Sequence, residues 1–497
     1  MNEMDLYTLR NMRTVPFPLI PQSVLRLRDL LGPHPIYAVG GILRDSLHVS
    51  FTQNTEQITT IHGNDWDLAT PLHPKEVMAR LRQAKITAVP VGIEHGTVAA
   101  VIDSVQYEIT TFRHDLESTD GRHAIVRFAD TIEEDLQRRD FTINAFALNL
   151  HSGQILDLFD GVEDLKNKVI RTVGDPEERF QEDYLRMLRA IRFAAKMQGK
   201  IEPATWTAIR NHAYKITHIS PERIREELLK ILSYDTPSHA FDLMHETGLL
   251  LYILPELEQG YGAWQNRFHA DDVAHHILYS TDAVSKKYPF IRFVTLMHDL
   301  GKVPAKRFHP KKGDYVFYGH QYVSKKLLRR IMHRLRFSNK NIDTASTIVA
   351  NHMYNLKPGL TEGASRRFLR RLGRENVEPF LRMRMADRKG NRKNSDEYER
   401  GIFHFLRNVR KIDRDENALK VRDLKISGYD LMHLGLRPGP IFKTILEHLL
   451  EEVLDNPNLN DPVYLISRAK ELAESPSLLQ KQPCPKLEED TEEIDQF

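Results

Sequence analysis

Apolar and polar positions follow one rhythm over the first third of this chain and another beyond it. Ile36–Val39, Val98–Ile102, Tyr107–Thr111 and Ala145–Leu150 are short apolar or alternating runs bounded by turn-forming residues, and each predicts a strand. Ile42–Leu47 and the stretch around Ser23–Leu31 read as helices. Past Leu165 the period becomes helical, with Leu185, Leu188, Ile191 and Ala195 on one face of Asp183–Met197. Ser220-Pro221 sets a hydroxyl N-cap before a first-turn proline and predicts a helix over Glu222–Leu232. Helix after helix follows to about Leu472. The pattern predicts an α+β chain, a mixed α/β head followed by an all-α body.

Length and composition narrow the picture. The 497 residues exceed one ordinary core, so several domains are expected. No run of 18 apolar residues and no signal peptide is found, so no membrane partner is expected. The single cysteine, Cys484, leaves no disulfide framework and no thiolate metal site, which fits a reducing, cytoplasmic setting. The net charge of +2 hides an asymmetry: residues 486–497 contribute −5, leaving +7 for the remainder. Basic residues gather at Arg186/Arg189/Arg192, Arg329–Arg336, Arg366–Arg374 and Arg382–Lys393, four runs that together suggest RNA contact.

The chemistry concentrates first between Ile36 and Asp67. The apolar strand breaks at Gly40-Gly41 and gives way to a helix, a turn that offers free backbone N–H groups to an anion, with Arg44 beside it. Asp65 and Asp67 stand two apart on an expected strand, so their carboxylates share a face and suit a hard cation. Glu108, in Tyr107-Glu108-Ile109-Thr110-Thr111, is a candidate third carboxylate. Then come Asp120-Gly121-Arg122-His123 in a polar loop, Arg138-Arg139-Asp140 ahead of Phe141–Ala145, and Glu182-Asp183-Tyr184-Leu185-Arg186.

In this order these segments resemble the class II tRNA nucleotidyltransferases (bacterial CCA-adding enzymes) and their poly(A) polymerase relatives, over roughly residues 30–260. The resemblance implies a polymerase-β-like head that transfers nucleotides with Mg²⁺ held by Asp65 and Asp67, and Glu108 helping on the hydroxyl side. It implies that Gly40, Gly41 and Arg44 meet the triphosphate. Arg138, Arg139 and Asp140 would meet the incoming nucleotide, the carboxylate suiting a ribose hydroxyl. Asp183 and Arg186, three apart and expected on one helical face, would read the edge of C or A with Glu182 as support. Arg113–Phe128, with Asp120 and Arg122, resembles the flexible loop of enzymes that add all of CCA. The segment Val49–Asn64 is longer than the family pattern leads one to expect.

A second constellation lies further on. His276 follows Asp272-Val273-Ala274-His275, His298-Asp299-Leu300-Gly301-Lys302 ends another helix, and Asp387 stands in Met385-Ala386-Asp387-Arg388. These resemble the HD-domain metal-dependent phosphohydrolases. The resemblance implies His276, His298, Asp299 and Asp387 as ligands, with His320 and His352 adding a second metal; imidazoles favour a transition metal such as Mn, Ni or Fe. His269, His275 and His309 read as background.

The expected divisions are therefore a leader and helix at 1–30, the nucleotidyltransferase head at 31–162 and a nucleotide- and RNA-binding neck at 163–258. An HD domain at 259–400, a helical tRNA-binding region at 401–475 and a disordered acidic tail at 476–497 complete the chain. The expected activity is template-independent CCA addition to tRNA from CTP and ATP, with phosphohydrolysis at the HD site. The alternatives are A-adding or CC-adding enzymes, a poly(A) polymerase, an HD phosphohydrolase with a non-catalytic RNA-binding head, and an RNA chaperone needing no metal.

Overall fold

The computed structural model describes residues 13–14, 19–53, 65–93, 96–116, 125–267, 270–391, 396–415 and 418–474. The flexible-loop residues Asp120 and Arg122, most of the 49–64 segment and the acidic tail lie outside them. The chain divides into two compact units, Met1–Pro255 and Glu256–Phe497, whereas the sequence puts that division at 258.

The first unit is built on one eight-stranded sheet. In chain order its strands are β1 (Arg13–Thr14), β2 (Tyr37–Val39), β3 (Asp67–Thr70), β4 (Thr87–Gly92), β5 (Thr97–Ile102) and β6 (Val105–Thr111). A separate hairpin, β7 (Arg113–Leu116) and β8 (Ile125–Phe128), precedes β9 (Phe146–Asn149) and β10 (Gln154–Asp157). The sheet order is β1-β10-β9-β2-β3-β6-β5-β4. Its pairs are antiparallel except β3–β6, where helix Pro74–Gln83 and the β4–β5 hairpin supply the crossover that a parallel pair needs. Val39, Ala69, Phe112, Leu136 and Ala147 pack into a core against this sheet.

The four strands read from alternation are present, and the ones missed have physical reasons. β4 is an edge strand that carries Pro90 and shifts register between Pro90 and Gly92, a residue pattern that argues against a strand. The β7–β8 hairpin closes the base of the loop read between Arg113 and Phe128, with Arg113 opposite Phe128. The helix after Gly40 runs to Thr52, so it takes up the first residues of the long 49–64 segment.

Two expectations about local geometry are corrected. Asp65 lies just before β3 rather than on a strand; β3 starts at Asp67. Asp183 is not on a helix with Arg186. One helix, Pro176–Glu182, stops before it, Asp183 is extended, and the next helix opens at Leu185. The cause is side-chain competition for the backbone: Asp183 Oδ1 accepts the Leu185 N–H at 3.1 Å, which ends one helix and starts another. At Ser220 the helix Pro221–Ile231 starts as the proline requires, but the serine hydroxyl makes no capping bond.

Among its described residues the second unit is helical apart from a small hairpin, Arg307–His309 with Asp314–Val316. Val273–Ala283 packs along Val377–Gly390, and His320–Arg334 along Asn339–Ala350. Among the described residues no helix is long and apolar enough to cross a membrane.

Candidate active site and metal centre

In the head, the tertiary fold brings the glycine turn onto the carboxylates. Gly40 has φ 81°, and a Cβ there would lie 2.8 Å from Asp67 Oδ2. Any other residue would be strained in its backbone and would collide with the carboxylate. Asp67 and Glu108 occupy the same register on the parallel pair β3–β6, so both side chains leave one face of the sheet. Trp66 is buried while Asp65 beside it is exposed, so Asp65 stays out of the core, near enough for its charge to act on Asp67. Burial, then the charges of Asp65 and Glu108, push the Asp67 carboxyl up to about 6. Two carboxylates that raise the proton affinity of a third form a site that a cation relieves. The residues present thus fit a divalent metal.

The nucleotide-binding candidates are fixed from behind by a chain of charged contacts. Arg44 is buried; its Nε donates to Asp45 Oδ1 at 2.8 Å and its Nη1 to Asn144 Oδ1 at 2.7 Å. Gly41, at the start of the same helix, has its Cβ position 3.3 Å from Arg44 Nη2. Asp135, almost fully buried, accepts from Arg138 Nη2 at 2.8 Å and from Arg139 Nη2 at 3.2 Å. It also takes the Arg113 N–H at 3.3 Å, which ties the base of the β7–β8 hairpin to the same group. Asp140 accepts from Arg189 Nε at 2.8 Å, from Asn144 Nδ2 at 2.9 Å and from its neighbour's Phe141 N–H at 2.9 Å. Although burial opposes it, Arg189 and Asn144 hold this carboxyl down at about 2. A ribose hydroxyl would have to compete with Arg189 for it.

Asp183 and Arg186 each have another partner. Arg223 Nη2 donates to Asp183 Oδ2 at 2.6 Å. Arg186 pairs with Glu182, which also takes Arg179 Nη1 at 3.0 Å, and donates to the Arg138 carbonyl at 3.3 Å. That last bond joins the helix from Leu185 to the Arg138–Asp140 segment.

The second unit gathers its six candidate ligands around one carboxylate. Asp299 Oδ2 lies 3.2 Å from His276 Nε2 and 3.2 Å from His298 Nε2. Its Oδ1 lies 3.2 Å from His320 Nε2 and 3.3 Å from His352 Nε2. Asp387 Oδ1 completes the first set, 3.3 Å from His276 Nε2 and 3.5 Å from His298 Nε2. Two groups follow, His276-His298-Asp299-Asp387 and Asp299-His320-His352, each with ligand atoms within 4.8 Å of one another. Among the described residues no other group of three or more is as tight, the head carboxylates included.

The backbone prepares these imidazoles. Nδ1 of His298, His320 and His352 meets the carbonyls of Thr295, Phe317 and Val349 at 2.6–2.7 Å. A carbonyl accepts only, so Nδ1 carries the proton and Nε2 offers its lone pair inward. His298 Nε2 and Asp299 Oδ1 are buried without an aligned hydrogen bond, which a metal ion would remedy. Burial would lower His298, but Asp299 and Asp387 push it up to about 10.

The comparisons with known proteins agree with this geometry. Residues 36–171 match the model described as "Poly A polymerase head domain". Residues 200–260 match "Probable RNA and SrmB- binding site of polymerase A", and residues 269–418 match the HD domain. The chain is 42% identical over 235 residues to a CCA-adding enzyme of Lactobacillus helveticus, covering 45% of this chain and 55% of that protein. A CCA-adding enzyme of Anoxybacillus flavithermus is 44% identical over 225 residues, covering 45% and 52%. The chain therefore spans about half the length of the curated relatives it matches. The solved Bacillus stearothermophilus CCA-adding enzyme in complex with CTP has a TM-score of 0.67 and 27% identity, covering 92% of this chain and 98% of that one.

The first unit thus carries a head of the poly(A) polymerase kind and the second an HD domain, and the curated relatives that match about half of this chain are CCA-adding enzymes. Several site-forming residues of the head escape sequence reasoning. Asn144, Asp135 and Arg189 touch the nucleotide-binding candidates Arg44, Arg138 and Asp140, yet only a fold could show which partner each one holds. The basic runs are also partly internal. Arg189 and Arg192 are paired with Asp140 and Glu227, and Arg366, Arg367 and Arg370 tie Glu362–Leu372 to Pro440–Asp455. Those arginines hold helices together, so they are withdrawn from the RNA-contact reading.

Proposed function

We propose that the head adds C, C and A in turn to the 3′ end of tRNA from CTP and ATP, without a nucleic-acid template. The observation that carries this reading is the in-register pair Asp67–Glu108 with Gly40 closed against it. The names of the relatives, and the CTP in the Bacillus structure, point the same way. Mg²⁺ held by Asp65 and Asp67, with Glu108 on the hydroxyl side, would supply the charge that activates the 3′-hydroxyl and steadies the leaving pyrophosphate.

The chain's own residues do the rest. The Gly40-Gly41 amides and Arg44 bind triphosphate at a helix start. Arg138 and Arg139, both braced by Asp135, meet the nucleotide. Asp183 offers acceptors and Arg186 donors to a base edge, a pairing that suits C or A over G and U. Each is held before the base arrives, by Arg223 and Glu182, so little ordering remains to be done on binding. The loop carrying Asp120 and Arg122 supports the switch from C to A, and a cytoplasmic place of action goes with tRNA as substrate.

For the second unit we infer metal-dependent phosphoester hydrolysis. The supporting observation is Asp299, shared between two imidazole sets suited to two ions of Mn, Ni or Fe.

The test is extension with Mg²⁺ of tRNA transcripts lacking CCA, ending in C, and ending in CC, read at single-nucleotide resolution. All three should converge on CCA and stop. Extension of the CC transcript alone, by A, would make this an A-adding enzyme. Stopping at CC would make it a CC-adding one, and unlimited A addition a poly(A) polymerase.

A further inference from the structure

Exposed aromatic rings set among lysines stand on the segments next to the second metal centre. Trp264 is 65% exposed and Phe308 58%, while Tyr315 and Tyr318 stand at 41% and 45%. These are large apolar faces left in water beside a buried ionic cluster. They are joined to one another. Phe308 and Tyr315 face each other across the small hairpin with ring centroids 5.7 Å apart. Lys306 holds its ammonium 4.3 Å from the Tyr315 centroid and donates to the Trp264 carbonyl. Lys312 lies 5.7 Å from the Tyr318 ring.

They are also joined to the metal centre. Gln265, next to Trp264, accepts from Lys302 Nζ at 2.7 Å, and that same Nζ lies 2.8 Å from Asp299 Oδ2. At the other end, Tyr318 is two residues from His320, whose Nδ1 is held by the Phe317 carbonyl. The exposed rings are therefore tied through Gln265, Lys302 and Phe317 to the segments that carry the buried candidate ligands.

We infer that this surface binds single-stranded RNA, stacking bases on Trp264, Phe308, Tyr315 and Tyr318 and presenting a backbone or terminal phosphoester to the ligands around Asp299. The inference rests on the phosphoester reading of that centre and adds its substrate class. Aromatic faces take any base, and ammonium groups between them meet the phosphates. The ammonium groups favour a polyanion over a neutral apolar partner.

Trp264 supplies the probe. The chain has three tryptophans; Trp66 is buried and Trp206 half-buried. Hexaadenylate titrated into the metal-stripped full chain should quench tryptophan emission saturably, and weaken with added salt. Trp264→Phe should remove most of the quenching. Phe308→Ala and Lys306→Ala should each weaken binding about tenfold. Phe308→Tyr should restore it, and thermal melts would show all four variants folded. Quenching that survives Trp264→Phe, or affinity unmoved by Phe308→Ala, overturns the proposal. So does equal quenching by AMP alone, which would mean a free nucleotide is the ligand. Because no metal is present, a centre that hydrolyses nothing would leave this binding intact, so the two readings fail separately.

Discussion

At the scale of single residues, protonation and pairing decide what each carboxylate can do. Asp67, pushed up to about 6 by burial and by Asp65 and Glu108, must lose its proton before it binds metal. Apparent Mg²⁺ affinity in nucleotide addition should therefore hold above pH 6 and fall about tenfold per unit below it. A Mg²⁺ titration at pH 5 and pH 7.5 reads this directly; identical curves would remove Asp67 from the metal. Asp140 has the opposite character. Its folded value of about 2 lies below the ordinary carboxylate range, so its stabilisation is full above about pH 4 and vanishes as pH falls through about 2. Asp140→Asn should cost about 2–3 kcal/mol at neutral pH, less than a fully buried pair because Arg189 is partly exposed. Urea melts of the two proteins should converge near pH 2. The motif string flags both aspartates, yet their roles separate only through their neighbours.

At the scale of elements, close approaches set the sites. Gly301 has no room for a side chain: a Cβ there would lie 2.3 Å from the His320 carbonyl oxygen. Its N–H donates to Ser324 Oγ at 2.8 Å, so helix His320–Arg334 rests directly on the His298–Lys302 turn. Gly301→Ala should push His320 away from Asp299 and lower the metal bound per chain, measured by elemental analysis, while the head still adds nucleotides. Unchanged metal content would show that the second ligand set is not used. Element types were largely legible from periodicity, as β5, β6 and β9 show. Element ends were not. Asp183 sits in a window whose apolar spacing continues smoothly, and only its bond to the Leu185 N–H and its pairing with Arg223 break the helix there.

At the scale of the whole molecule, two compact units carry two separate sets of ligands. Asp65→Ala should abolish nucleotide addition and spare phosphoester hydrolysis, and His298→Ala should do the reverse; assays of both activities on both variants check this. Loss of both activities in either variant would mean one site, not two. The sequence by itself determined the chemistry on offer. Residue identity and spacing suffice to mark Gly40-Gly41, the Asp65/Asp67 pair and the His298-Asp299 dipeptide, because turns, strands and helix ends are local. Only the tertiary structure decided who meets whom. Glu108 reaches Asp67 through strand register, and Arg44 reaches Asn144 a hundred residues away. Asp299 collects four histidines from different helices and turns. Much of the arginine that looked free for RNA is bound to carboxylates and carbonyls inside the fold. Charge pairing and strand register are long-range choices made by packing, and no local pattern records them.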